Sequence, residues 1–471
     1  MNVLLIHAPI FFSRRSRSSL ETVSNASPPL GLAYLAAMIE REAEVEIIDA
    51  QGLSEEAVKE RVRRTSASVV GLSASTVSIR NAARIAGWAK EFHPDATTVV
   101  GGPHVTAAPL ETMDVFPVFD FGVAGDGEVI FRELVRAVGH GHDPCAVPGV
   151  IYRQAGSGLK VNPSPPPLPL DEIPFPAWHL LPPFKFYSFN PSAYRRHPHA
   201  MVIASRGCPY QCIFCHAGRF RQNLQYRSPR NIVDEMEFLA KTYGIREIKF
   251  GDELFAVNTS WVGKICAEIR ERNLDVIWAC EARANTMTPE FARLLKSGGC
   301  WQITIGIESG SPRILERIKK KITREQVKNT VRWAHEAGLA VRAFFMLGFP
   351  FEERSDIVQT IDFAVESGVD DASFGFVVPF PGTELYELCQ EQGYFGKNGW
   401  LEFDSVLNRP GCLPRGMTEK EMMALLKRAY NKFYVRPAYW VKTIRQLRSL
   451  EDLRRLWRGA RAVLSLRGRP A

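Results

Sequence analysis

Three cysteines stand close together in the run Arg206-Gly207-Cys208-Pro209-Tyr210-Gln211-Cys212-Ile213-Phe214-Cys215. The spacing is C-x3-C-x2-C. Three thiolates at such spacing can hold three irons of a 4Fe–4S cube and leave the fourth iron without a protein ligand. An open iron can bind a substrate or cofactor directly, so the cluster can do chemistry as well as carry an electron. Structural zinc is the rival for the same residues. It takes four ligands, commonly as two closely spaced pairs, and His216 follows Cys215 too directly to close a tetrahedron well. The spacing favours the open cluster.

The elements that must carry this loop follow from strand–helix alternation. Val202-Ile203-Ala204 leads into the cysteines, Ile248-Lys249-Phe250 into Gly251-Asp252-Glu253, and Val276–Cys280 into Glu281-Ala282-Arg283. Gln302–Ile307 leads into Glu308-Ser309-Gly310, Val341–Met346 into Gly348-Phe349-Pro350, and Ser373–Val378 into Pro379-Phe380-Pro381. Six such units are too few to close an eight-stranded barrel, so a partial (β/α)6 barrel is expected. In barrels, polar residues at the carboxyl ends of strands face the active site. The cysteines, Glu253, Arg283 and Glu308 all fall there.

Residues 1–145 show a second alternation. Val3–His7, Val45–Asp49, Val69–Ser73, Thr98–Gly102 and Phe121–Ala124 read as buried strands, and a helix is expected over Leu32–Glu40 after the Pro28-Pro29-Leu30-Gly31 turn. Right-handed crossovers then give an α/β, doubly wound parallel sheet, which binds ligands at the carboxyl ends of its strands. The loops there are small and open: Ser73–Thr76, Gly101–His104 and Gly125–Glu128. Nine prolines between Asn162 and Phe184 mark an extended connector. The expected domains are 1–145, a connector over 146–195, the barrel over 196–385, and a helical, basic region over 386–471.

Composition bounds the rest. A chain of 471 residues, 45% hydrophobic and 23% charged, is that of a soluble globular protein of several domains. The other six cysteines are scattered singly, as buried small hydrophobes in a reducing cytosol would be. The first arginines follow the apolar N-terminal run, the wrong order for a signal peptide. No apolar stretch reaches the ~18 residues of a membrane span. A cytoplasmic location is expected. The net charge of +8 is concentrated near Arg445, Arg448, Arg454, Arg455 and Arg458. These read first as a solvated helix face and second as a surface for peripheral contact with anionic lipid. No nucleic-acid-binding module is present. Trp400, Tyr430, Phe433, Tyr434, Tyr439, Trp440 and Trp457 read as packing residues.

The cysteine loop, the six units in order, Gly306-Ile307-Glu308-Ser309-Gly310 and Leu347-Gly348-Phe349-Pro350 closely resemble the radical S-adenosylmethionine (SAM) superfamily. The N-terminal domain resembles that of its cobalamin-binding branch, which includes methyltransferases, the anaerobic magnesium-protoporphyrin ester cyclase and hopanoid-modifying enzymes. The likeness covers roughly residues 1–390. It implies a 4Fe–4S cluster on Cys208, Cys212 and Cys215, reductive cleavage of SAM to a 5′-deoxyadenosyl radical, and methyl transfer through cobalamin to an unactivated carbon. It also implies a one-electron donor of flavodoxin or ferredoxin type. The backbone at Phe214 would meet adenine, Gly251, Asp252 and Glu253 the SAM ammonium, Glu308 the ribose hydroxyls, and Arg283 the SAM carboxylate. Ser75, Gly101, Gly102 and His104 would line the cobalamin site.

Two departures stand out. No D-x-H-x-x-G motif supplies a cobalt-ligating histidine, and Gly251-Asp252-Glu253 replaces the two adjacent aspartates common in relatives. A cobalamin-associated cyclase remains the alternative enzyme, and an iron–sulfur or zinc-binding module the alternative without catalysis. A methylthiotransferase would need cysteines in the first domain, yet none precedes Cys145. A dinucleotide oxidoreductase would need G-x-G-x-x-G after the first strand. The substrate is expected to be a small molecule, lipophilic or a tetrapyrrole.

Overall fold

A computed structural model describes residues 1–12, 27–187, 191–395, 399–405, 409–437 and 439–440. The distal arginines from Arg445 onward, and Trp457, lie outside these residues.

The first sheet comprises β1 (Asn2–His7), β2 (Glu44–Asp49), β3 (Val69–Ser73), β4 (Thr97–Gly101), β5 (Phe121–Val123), β6 (Val150–Gln154) and β7 (Gly158–Val161). Their order is β2-β1-β3-β4-β5-β6-β7. The pairings are parallel through β5, and β6 and β7 join antiparallel. In β1 the pleat sends Val3 and Leu5 to one face, with Ile39 and Leu134, and Leu4 and Ile6 to the other, with Val58 and Ile85. Burial on both faces explains the unbroken apolar run. The strand order reverses between β1 and β3, which places a ligand crevice above their carboxyl ends.

The stretch 146–195, expected as a connector throughout, therefore begins with a hairpin that extends this sheet. The proline-rich part beyond it is extended chain interrupted by short helical turns at Leu170–Glu172, Trp178–Leu180 and Phe184–Phe186, and its Leu170, Ile173, Trp178 and Leu181 are buried in an apolar core continuous from the first sheet into the second.

The second sheet comprises β8 (His199–Val202), β11 (Glu247–Phe250), β12 (Ile277–Ala282), β13 (Cys300–Glu308), β14 (Ala340–Leu347) and β15 (Asp371–Phe376), in the order β15-β14-β13-β12-β11-β8 and parallel throughout. A short antiparallel pair, β9 (Ser205–Arg206) and β10 (Gln225–Tyr226), stands apart. Outer helices begin at Ser228, Asn258, Thr288 and Thr323, each accepting a hydrogen bond from the backbone N–H three residues on. Such caps satisfy donors that a helix leaves open and punctuate the alternation. The result is the open, six-stranded partial barrel expected.

Beyond β15 the chain packs back on both domains. Tyr430 and Tyr434 bond to β15 through their hydroxyls, while Trp400 and Phe403 enter the core of the first domain. No helix among the described residues is long and apolar enough to cross a membrane.

Candidate active site between the two sheets

The cysteine loop hangs from the β9–β10 pair. Its stem is closed by the Cys208 N–H donating to the Arg221 carbonyl at 2.9 Å. Gly207 has φ +103, and a Cβ there would meet the Asn223 carbonyl oxygen at 2.6 Å, so only glycine fits. Cys212 is buried, Cys208 half-buried, and Cys215 opens onto a cavity. Burial pushes the Cys208 and Cys215 thiols up, and nearby thiols push each further. Arg283 lies with a guanidinium nitrogen 3.7 Å from the Cys212 Sγ and its plane 3.6 Å from the centre of the Tyr210 ring. The three thiols share one short loop, and no group of three or more His, Cys, Asp and Glu side chains among the described residues is already drawn together as a metal site. The Arg283 cation beside Cys212 suits an anionic cluster, since ionised sulfurs need a positive neighbour when partly buried.

Glu308 sits where β13 bulges against β14, at φ +67, a conformation rare for a side-chain-bearing residue. Its carboxylate pairs at 2.8 Å with Lys320 Nζ, and both side chains are buried. A Cβ at Gly306 would come within 2.8 Å of that Nζ, so glycine there makes room for the pair. The segment before Lys320 packs on the cysteine loop, since the Ile213 N–H donates to the Ile318 carbonyl at 3.2 Å. The Lys320 carbonyl in turn accepts from Arg283. Lys320 thus joins the residues expected to act separately, Arg283 and Glu308, into one connected cluster behind the cysteine loop. Nothing in the Lys319-Lys320-Lys321 run distinguishes it from a solvated charge cluster.

The two carboxylates after β11 part company. Asp252 turns inward, accepting from the Ala204 N–H at 3.1 Å, from the Ser205 hydroxyl at 2.6 Å and from the Ser205 N–H. Burial pushes it up to about 7 despite these bonds. It braces the strand end before the cysteine loop and is not among the side chains that line the cavity. Glu253 lines the cavity and accepts from the Gly207 N–H at 3.2 Å. Gly251 backs onto the Met201 sulfur, 2.8 Å from where a Cβ would sit.

The facing wall comes from the first domain. Gly102, Pro103, Thr106 and residues 124–126 line it. Gly102 has φ +99 and lies so close to Ala74 that a Cβ would be 2.9 Å from its carbonyl oxygen. The other residues expected there sit behind it. Ser75 is engaged with Ser78, and Gly101 packs against Val123. His104 is fully buried, its Nδ1 3.1 Å from Thr76 Oγ1 and its ring edge-on to Trp400 at 4.3 Å. Burial lowers it to about 4, with a smaller push from His216. The cavity between the walls measures about 1220 Å³, beyond the ~300–1,000 Å³ of a usual small-ligand site. Thr106 and Gly125 reach it without the sequence having singled them out individually. The small residues at these strand ends leave room for a large flat ligand to approach the backbone, as a corrin requires.

Residues 202–364 match the radical SAM superfamily and residues 18–135 the B12 binding domain. Over 448 residues the chain is 34% identical to a protein of Pyrococcus horikoshii named as an uncharacterized methyltransferase, covering 94% of this chain and 95% of that one. It is 28% identical over 449 residues to the anaerobic magnesium-protoporphyrin IX monomethyl ester cyclase of Rubrivivax gelatinosus, covering 93% and 78%. The fold is shared with the solved structure of the radical SAM methyltransferase TsrM from Kitasatospora setae with cobalamin and a 4Fe–4S cluster bound. There the TM-score is 0.71 at 18% identity, with 98% of each chain covered.

Proposed function

This chain belongs to the cobalamin-binding branch of the radical SAM superfamily, and on that premise we propose that it transfers a methyl group to an unactivated carbon of a small molecule. It is an enzyme whose cofactors are a 4Fe–4S cluster, SAM and cobalamin. When bound, these groups supply a carbon radical able to take hydrogen from an unreactive C–H bond and a methyl group to replace it.

The residues divide that work. Cys208, Cys212 and Cys215 hold the cluster. Arg283, stacked on Tyr210 beside Cys212, offers its guanidinium to the SAM carboxylate, a charge-assisted contact. Glu308, held in place by Lys320, accepts from the ribose hydroxyls. Glu253, on the cavity wall, takes the ammonium, and the Phe214 backbone meets adenine. Gly251 and Asp252 act behind them, through close packing and the brace on Ser205. Gly102 lets cobalamin approach the first sheet, with Gly101, Ser75 and His104 supporting that loop from behind. Phe214 and the proline-rich strap at 165–168 help exclude water from the space between. We place the enzyme in the cytoplasm, with an electron donor of flavodoxin or ferredoxin type.

The observation that carries this reading is the single cavity that has Cys215 and Phe214 on one wall and Gly102 and Gly125 on the other. Ring formation is a second reading, supported by the likeness to the magnesium-protoporphyrin cyclase, which also makes a tetrapyrrole or other lipophilic molecule the substrate class to try first. Anaerobic reconstitution with iron, sulfide and cobalamin, followed by assay of products, separates the two. Release of both 5′-deoxyadenosine and S-adenosylhomocysteine, with a substrate heavier by one CH2 unit, is expected. Deoxyadenosine alone with an unmethylated product would favour ring formation. Absence of both nucleosides would overturn both readings.

A further inference from the structure

We propose that Asp126 and Glu128 of the first domain grip the cysteine loop through Arg206 and Arg221, and that this clamp sets the separation between the two cofactor-bearing walls. Arg206 stands two residues before Cys208. Arg221 closes the same stem from the other side, through its carbonyl on the Cys208 N–H. The two guanidinium groups therefore bracket the loop that carries the thiols. Both reach across to the loop after β5. Arg206 contacts Asp126 at 3.0 Å and Glu128 at 2.6 Å, and Arg221 contacts the same Asp126 oxygen. Arg221 also lies 3.8 Å from Glu253, tying the clamp to the rim of the barrel. Tyr34 of the first domain covers Arg206, its ring centre 5.6 Å from the guanidinium carbon.

Simple adhesion between the domains does not account for this arrangement. The apolar core that runs through Leu170, Ile173 and Trp178 already supplies it. Buried ion pairs add little net stability over apolar contacts, but one relative position satisfies them and others leave a charge unpaired, so they select geometry. Arg206 and Glu128 are the dry part of the clamp, with side chains 10% and 9% exposed. A guanidinium also fits two carboxylates in a fixed fork, which a lysine ammonium does not. Transfer between a radical centre on one wall and a methyl donor on the other depends on fixed separation. The four residues are thus positioning residues that act through the loops they join.

The inference rests on the cofactors and not on the reaction, so it is tested without substrate. In the full chain, loaded with cluster and cobalamin, the variant Asp126→Asn/Glu128→Gln keeps side-chain volume and removes both negative charges. Frozen samples with a reduced cluster and cob(II)alamin hold two unpaired spins, whose interaction weakens with the cube of their distance. The wild type is expected to show cob(II)alamin resonances broadened by the cluster. Compared at equal loading of both cofactors, the double variant is expected to lose that broadening. Unchanged broadening at full loading would overturn the proposal. So would selective loss of cobalamin, which would make the carboxylates ligands of the cofactor. Should the double variant not fold, Arg206→Lys keeps the charge and loses the fork. Weaker broadening supports the clamp, and wild-type broadening overturns it. Absence of methyl transfer in the wild type would leave the measurement intact.

Discussion

Behind the cysteine loop, Arg283, Glu308 and Lys320 are charged, buried and bonded to one another or to that loop. On the first-domain side Gly102, Thr106 and Gly125 line the cavity, with Asp126 and Glu128 beside them paired to Arg206, and His104 is sealed beneath Trp400. The contrast bears on the roles proposed for each region. SAM is a small, charged molecule that can be gripped by ionised groups at short range. Cobalamin is large, and a corrin needs a flat, close approach to backbone more than a partner charge. On the proposed reading, SAM is gripped chiefly by charge, and cobalamin chiefly by backbone left open at Gly102 and Gly125.

The largest effect that would separate the two regions is expected at Lys320. Lys320→Met leaves the Glu308 carboxylate buried without its partner, and breaking a buried pair on one side costs about 3–5 kcal/mol. Denaturant titration should show that loss, and SAM binding should weaken with it because the carboxylate loses its anchor. Cobalamin binding should hold at wild-type affinity. Equal loss of both cofactors would mean that the two regions are not separately built.

A smaller effect, with opposite signs on the two sides, is expected from pH. His104 is lowered to about 4 from 6.5 by burial. As pH falls from 6.5 toward 4, the unfolded chain takes up a proton that the folded chain refuses, so stability contributed by the neutral histidine is lost. Asp252 is raised from 3.8 to about 7. As pH rises through that window, the unfolded chain releases a proton that the folded chain retains, and stability falls. A tenfold change in proton affinity is worth ~1.4 kcal/mol, so each effect amounts to at most a few kcal/mol. In the apo chain, His104→Gln should remove a component of stability that rises with pH, and Asp252→Asn one that declines with pH. Slopes of the same sign in the two variants would contradict the burial assigned to one of them.

These residues also mark where sequence reading reaches and where it ends. The first strand was legible because β1 is buried on both faces and carries an unbroken apolar run, and the cysteines because few chemistries tolerate their spacing. The opposite directions of Asp252 and Glu253 were not legible, because both lie in the loop beyond β11, where strand alternation no longer applies. The β6–β7 hairpin was readable, in Val150-Ile151-Tyr152 followed by Gly156 and Gly158. Lys320 and His104 were not. Lys320 finds Glu308 only because a bulge turns that carboxylate back, and Trp400 reaches His104 across nearly three hundred residues of chain. Local pattern carries no trace of either contact.

The finest distinction lies within the first-domain wall itself, between its two glycines with positive φ. Gly102→Ala must hold φ +99 while its methyl group presses on the Ala74 carbonyl oxygen at 2.9 Å and the Ser73 hydroxyl at 3.0 Å. Strain of this kind costs about 1–3 kcal/mol, and the loop is expected to shift, lowering both stability and cobalamin affinity. Gly125→Ala holds φ +79 with nothing within 4 Å of the added methyl. Its stability cost is therefore only the ~1 kcal/mol of a left-handed alanine. That emptiness belongs to the cavity, so the methyl group takes space a ligand would use. Cobalamin affinity should drop about tenfold, equivalent to ~1.4 kcal/mol, while the melting curve barely moves. Equilibrium titration with hydroxocobalamin checks both variants. If Gly125→Ala bound it as tightly as wild type, the loop after β5 would not be part of the wall that cobalamin touches, and recognition by missing side chains would shrink to Gly102 and its neighbours.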